Sequence, residues 1–369
     1  MRQNLLFQRI LPAYRVSLFE KLFLQLNIKC CFSVKDKVEY NEFSNRDAFE
    51  PFGVYEKDSF FFQNVLFKII TYNPPVVICE GALSYPTLWK LFFYKLFFSY
   101  KIVIWTHGIH NKDIENPFSD WKGKLKKYLF SNADALILYD NDRKELLEKY
   151  ISGQKIVVAN NTLDTEICFN IYEKLNKIGK ENIRKELNWK QGKHIVFIGR
   201  LNNKIYLQRW LEDFKKIQSK ESIYFHIIGE GIDLPKLKKS AGDNVFFYGK
   251  NEEENQIGKY LYASDVMFYP DNIGLSLVHA MCYACPVILQ KKFSIGITHG
   301  PEINYAEERK NVVYFNYESE NFLKEIEQIL VNTDFLQMGI NAQNTIKNKA
   351  TSEHFINGFK EIMNYFQYK

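Results

Sequence analysis

Short runs of β-branched and aliphatic residues alternate along the whole chain with longer segments whose apolar positions recur every three or four residues. Runs of the first kind suit strands buried on both faces, and the longer period suits helices laid across them, so the pattern predicts βα units and parallel sheets. In the first half, strands are expected at Asn4–Gln8, Ile28–Val34, Val76–Glu80, Lys101–Thr106, Ala135–Leu138 and Ile156–Ala159. A polar stretch from Asn160 to Gln191 interrupts the rhythm. A second series then runs through His194–Gly199, Ile223–Ile228, Asn244–Tyr248, Val266–Tyr269, Pro286–Leu289 and Val312–Phe315. The expected organisation is two Rossmann-like α/β domains, 1–160 and 191–350, joined by a connection at 161–190. A helical segment at 351–369 is expected to cross back to the first domain. Open parallel sheets bind ligands outside the carboxyl ends of their strands, so the expected active site is a central cleft that the two sheets face.

Composition narrows this only slightly. A chain of 369 residues with 46% hydrophobic and 25% charged residues is ordinary folded usage, which excludes disordered, collagenous and disulfide-scaffold classes. The net charge of +6 suits an anionic ligand or lipid surface and is too diffuse to argue for nucleic acid. Six cysteines without a regular framework, and no secretory leader, point to a reducing cytoplasm. The longest apolar stretch, Leu88 to Phe98, is broken by Lys90 and Lys95 and is too short to span a bilayer. The basic and aromatic segment from Trp89 to Lys101 fits either a buried helix of the first sheet or peripheral contact with anionic lipid at the inner face of a membrane.

The chemistry-bearing positions lie at predicted strand ends. Arg200 and Lys204 follow Gly199, and two cations at such an end suit either a diphosphate or a solvated loop. Ile228-Gly229-Glu230-Gly231 is a turn whose glycines let backbone approach a nucleotide, although no dinucleotide fingerprint is completed. From Tyr269 to Met281 the chain reads as strand end, turn and helix. Backbone N–H groups at Gly274 and Leu275 are placed to hold a phosphate. Asp271 is a cap or a site residue, and His279 a core histidine or a ligand. In the first half, Tyr14 and Arg15 open the first helix, where Arg15 touches an acceptor phosphate or braces the helix. His107 closes a strand at the ligand edge, with His110 close by. Asp140-Asn141-Asp142 reads as a helix cap rather than a metal-binding pair of acids, and Cys282-x-x-Cys285 as core rather than a zinc site, so no metal ligand is expected.

The order Gly199-Arg200-Leu201…Lys204, Ile228-Gly229-Glu230-Gly231, Asn244 to Gly249, Ala263-Ser264-Asp265-Val266, Gly274 to Met281 and Pro286-Val287-Ile288 resembles the C-terminal domain of family-4 glycosyltransferases of the GT-B fold. The match is dense from 190 to 350 and loose before it. The resemblance implies a metal-independent hexosyltransferase that retains anomeric configuration. It would move a sugar from a UDP- or GDP-linked donor to the hydroxyl of a glycan or lipid-linked acceptor, in surface polysaccharide or lipopolysaccharide assembly, with no cofactor beyond that donor. It places Arg200 and Lys204 on the diphosphate and His107 by the donor sugar. Gly199, Gly229, Glu230, Gly274 and Leu275 fall on the nucleotide, and Tyr14 and Arg15 on the acceptor side. The family's Glu-x7-Glu pair is replaced here by Asp271 and His279, which suggests a divergent subgroup; a histidine can still accept from a ribose hydroxyl. His299-Gly300-Pro301-Glu302 is similar to the family loop ending in Pro-Glu, making Glu302 either a donor-site acid or half of a loop ion pair. The alternatives are a nucleotide-sugar epimerase on the same fold and a catalytically silent sugar-nucleotide-binding protein.

Overall fold

The structure is a computed structural model of the chain and describes residues 2–33, 44–52, 55–57, 60–109, 116–217, 222–291 and 298–367. The chain divides into two compact units, Met1–Asp164 with Ser352–Lys369, and Thr165–Thr351.

The strands of the first unit are β1 (Asn4–Gln8), β2 (Ile28–Ser33), β3 (Phe49–Phe52), β4 (Tyr55–Lys57), β5 (Phe60–Phe62), β6 (Val76–Glu80), β7 (Lys101–Thr106), β8 (Ala135–Leu138) and β9 (Lys155–Val158). β4 and β5 pair as a short antiparallel hairpin, and the others form one parallel sheet in the order β3-β2-β1-β6-β7-β8-β9. Side chains alternate across this sheet into two cores. Leu5 and Phe7 of β1 enter one, while Leu6 enters the other with Val103 and Trp105 of β7. Burial on both faces is why these strands read as unbroken apolar runs. β3 and the hairpin are not predicted by the pattern; Pro51 inside β3 is tolerated because β3 is an edge strand. Val34 lies outside the described residues.

The helix Ser352–Gln367 belongs to this first unit. Phe355 and Phe359 meet the Trp105 ring edge-on at 5.7 and 5.3 Å. A Cβ on Gly358 would run into the backbone of Val158 and Ala159, so glycine sets how closely the helix approaches the end of β9.

The second unit holds β10 (Lys193–Ile198), β11 (Ile223–Ile228), β12 (Val245–Gly249), β13 (Val266–Tyr269), β14 (Val287–Gln290) and β15 (Val312–Phe315), all parallel, in the order β12-β11-β10-β13-β14-β15. Trp210 stacks on Phe268 at 4.1 Å in its core. The stretch 161–190 differs from a simple connection. Two helices, Thr165–Ile178 and Lys180–Glu186, occupy most of it and bury Cys168, Ile171, Leu175 and Ile183 in the second unit, so the boundary falls at Asp164. Polar residues on their outer faces dilute that apolar stripe in the sequence.

Near the amino ends of β10 and β11, a closed hydrogen-bond chain fixes two neutral histidines. His194 Nε2–H donates to the Lys190 carbonyl at 3.0 Å, and His194 Nδ1 then accepts from His226 Nε2 at 2.9 Å. His226 Nδ1 accepts from the Tyr248 hydroxyl, which accepts from the Trp189 indole, both at 2.9 Å. Burial pushes His194 down to about 4 and His226 down to about 2. Because the unfolded histidines take up protons near their ordinary value of about 6.5 and the folded ones do not, this contribution is intact above that pH and is lost as pH falls toward 4. Denaturant titrations are expected to show stability falling by up to about 1.4 kcal/mol per pH unit per histidine in that window. A His226→Gln variant should show a shallower slope; identical slopes for the two proteins would refute the assignment.

Candidate functional site

In the second unit, connections run outward in opposite directions from β10 and β13, so the loops leaving these neighbouring strands open a crevice at the carboxyl edge of the sheet. The loop after β10 carries Gly199 and Arg200, and the loop after β13 carries Asp271 and Gly274. Gly229 has φ +151°, and a Cβ there would collide with the Gly199 carbonyl. The Gly199 N–H donates to the Ile228 carbonyl at 3.1 Å and the Leu201 N–H to the Glu230 carbonyl at 2.8 Å, lacing the two loops backbone to backbone. The side chains of Arg200 and Glu230 are exposed.

Lys204 stands at the start of the helix Ile205–Phe214, its N–H donating to Asp233 Oδ2 at 2.8 Å. Its ammonium lies over the rings of Tyr269 and Phe197, 5.2 and 5.6 Å from their centroids, which aims it at the β10–β13 edge. Burial lowers its pKa against the opposing pull of Asp271 and Asp233. Asp271 is buried and accepts from the N–H groups of Tyr206 at 3.4 Å and Leu207 at 3.2 Å. It therefore caps the Ile205–Phe214 helix and ties the β13 loop to the β10 loop. Burial raises its carboxyl above the usual range, with Lys204 and the two N–H groups pulling it back.

Gly274 is the N-cap residue of the helix Leu275–Cys282 and, as a glycine, brings no side-chain cap of its own to the first turn. The loop is pinned from behind: the Gly300 N–H donates to the Ile273 carbonyl at 2.7 Å, and the Ile273 N–H to His299 Nδ1 at 3.2 Å. Glu302 is buried against the same turn, where a Cβ on Gly274 would lie 3.7 Å from its Oε2. N–H groups at a helix start and basic side chains such as those of Lys204 and Arg200 are chemically suited to holding a phosphate.

His279 points elsewhere. Its Nε2 is bonded to Glu254 Oε1 at 2.7 Å, and the same oxygen accepts from the Tyr283 hydroxyl at 2.7 Å and the Cys168 thiol at 3.4 Å. Burial alone would lower the imidazole, yet bonds to Cys168 and Glu254 push it up to about 10. Burial raises Glu254, and the bonds from His279 and Tyr283 outweigh it, leaving the acid below its usual range. Neither Glu254 nor Cys168 belongs to the set read from the sequence, since no spacing links them to residue 279.

The first unit has the equivalent crevice between β1 and β6. Arg9, just past β1, is paired with Glu80 at the end of β6, Nε to Oε2 at 3.0 Å. This pair lines a cavity of about 920 Å³ together with Trp89, His107, Trp121 and Lys126. His107 is exposed, its ring 4.3 Å from that of Tyr139. Arg15 is buried over the Trp105 ring at 4.5 Å and donates to Asn161 Oδ1 at 3.1 Å, whereas neighbouring Tyr14 is exposed. His110 lies outside the described residues. Asp140 caps the helix Asn141–Glu148 by accepting from the Arg143 N–H at 2.8 Å, and Cys282 and Cys285 are both buried free thiols. The helix Pro86–Tyr94 buries Thr87, Leu88 and Leu91 but leaves Phe93 exposed, as are Leu96 and Phe97 beyond it. Lys95 and Lys101 both pair with Asp134.

Residues 179–351 match the family described as "Glycosyl transferases group 1". An uncharacterized glycosyltransferase of Methanocaldococcus jannaschii, MJ1069, is 23% identical over 321 residues, covering 82% of this chain and 78% of the relative. A solved glycosyltransferase from Rickettsia africae superposes with a TM-score of 0.70 at 14% identity, over 98% of each chain. The fold is GT-B. Anabaena Alr3699/HepE in complex with UDP gives a TM-score of 0.70 at 14% identity, covering 99% of this chain and 100% of that one. Family match, relative and fold together support a glycosyltransferase. Among the described residues, no helix is long and apolar enough to cross a membrane.

Proposed function

We propose that this GT-B protein transfers a sugar from a nucleoside-diphosphate donor to an acceptor hydroxyl with retention of configuration. The observation that carries the reading is that the loops leaving the neighbouring strands β10 and β13 bear Gly199, Arg200 and Gly274, with the Lys204 ammonium lying over Tyr269 at the end of β13. Negative charge grows on the leaving diphosphate as the glycosidic bond breaks, and fixed cations and N–H dipoles stabilise it without reorganising. The leaving phosphate then takes the acceptor proton on the same face, so no side-chain nucleophile is needed. Gly199 and Gly229 let the loops after β10 and β11 pack backbone to backbone at the crevice, and Glu302 lies against the Gly274 turn. The donor base is taken as uracil, because the similar Anabaena protein is one solved with UDP.

A second reading, donor binding without turnover, draws on two observations: Asp271 is committed to a helix cap and His279 to Glu254. A thermal-shift panel of UDP, GDP and their sugars, followed by product analysis, separates the readings. UDP at a hundred times its Kd is expected to stabilise the protein by about 2.7 kcal/mol. No shift with any nucleotide would refute both readings, and a shift without transfer to any glycan acceptor would favour the second.

A further inference from the structure

Outside the crevice, the second unit brings three chemically different donor groups from three helices to one point. Cys168 comes from the helix Thr165–Ile178, Glu254 opens the helix Glu254–Ala263, and His279 lies in the helix Leu275–Cys282. The Cys168 sulfur, a Glu254 oxygen and a His279 nitrogen all lie within 4.8 Å of one another. A fourth group, the buried Cys282 thiol, neighbours Cys168 and raises its pKa. We propose that Cys168, Glu254 and His279 bind one zinc ion, with the fourth position taken by Cys282 or water.

The donor set matches the metal. Thiolate, imidazole and carboxylate are the three ligand types zinc accepts, and bonds of about 2.0–2.3 Å would fit after small adjustments of side chains already converging on one oxygen. Thiolate and carboxylate together neutralise the dication, with the thiol proton and the second imidazole proton leaving to solvent. Hard cations such as Mg²⁺ and Ca²⁺ prefer all-oxygen shells and are disfavoured by the thiolate. Glu254 and His279 keep 30% and 16% of their side-chain surface, which leaves a way in for the ion. Zinc here would clamp the Leu275–Cys282 helix to two neighbours, and so set the position of the Gly274 turn at its start. This is a structural role, separate from the phosphate-binding chemistry of the crevice.

The test uses full-length protein without an affinity tag, stripped with EDTA and titrated with Co²⁺. The expected result is one equivalent bound, with a near-ultraviolet thiolate-to-cobalt band that Zn²⁺ displaces and that Cys168→Ser reduces by half or more. Cobalt binding without that band, or a band unchanged in a folded Cys168→Ser protein, would overturn the proposal. Should Cys168→Ser not fold, X-ray absorption of the zinc-loaded wild type decides: one or two sulfur ligands beside nitrogen and oxygen support the site, and no sulfur refutes it. His279→Gln is expected to weaken zinc binding by tenfold or more.

Discussion

Replacing Arg200 by alanine is expected to lower sugar transfer by about 10²–10³-fold while leaving the melting temperature within about 2 °C of wild type. The two halves of this result have separate causes. Arg200 is exposed, so its loss removes little that holds the fold. In the proposed reaction it meets a diphosphate whose charge grows toward the transition state, so the loss falls on kcat more than on KM. Arg200→Lys should recover only part of the rate, since an ammonium lacks the planar fork that grips two oxygens. Steady-state transfer and donor-hydrolysis assays beside a melting curve check all of this. Unchanged kinetics would remove Arg200 from the site.

Asp271→Ala is expected to behave in the opposite sense, with loss of stability leading. Its buried carboxylate accepts from the N–H groups of Tyr206 and Leu207 and faces Lys204, and alanine would leave these donors in a pocket that water fills poorly. The cost is about 2–3 kcal/mol, which for a unit of this size lowers the melting temperature by about 5–10 °C. Asp271→Asn keeps one acceptor oxygen and should lose less. Differential scanning calorimetry reads both variants. A wild-type melting temperature with abolished transfer in Asp271→Ala would return the residue to direct contact with the donor.

Apolar runs fully buried in parallel sheets leave a mark that survives in one dimension, which is why Asn4–Gln8, Val76–Glu80, Lys101–Thr106, Ile223–Ile228 and Val266–Tyr269 occur as strands at the predicted limits. The edge strand β3 left no such mark, because half-covered positions admit Glu50 and Pro51. The crevice loops were legible for a related reason. Glycines, cations and turn residues collect where strands end, and Gly199, Arg200 and Gly274 do lie at the carboxyl edge of β10 and β13.

Sequence alone therefore determined the alternation of strands and helices, the two α/β halves, and which glycines and cations follow strand ends, because burial period and turn chemistry are local properties of the chain. Tertiary structure decided where individual side chains go. Asp271, in the turn before the Leu275–Cys282 helix, and His279, within it, are close in the sequence, yet one caps the Ile205–Phe214 helix and the other joins Glu254 and Cys168. Those partners come from distant segments that meet only once helices pack on the sheet, and no spacing along the chain encodes which faces will touch.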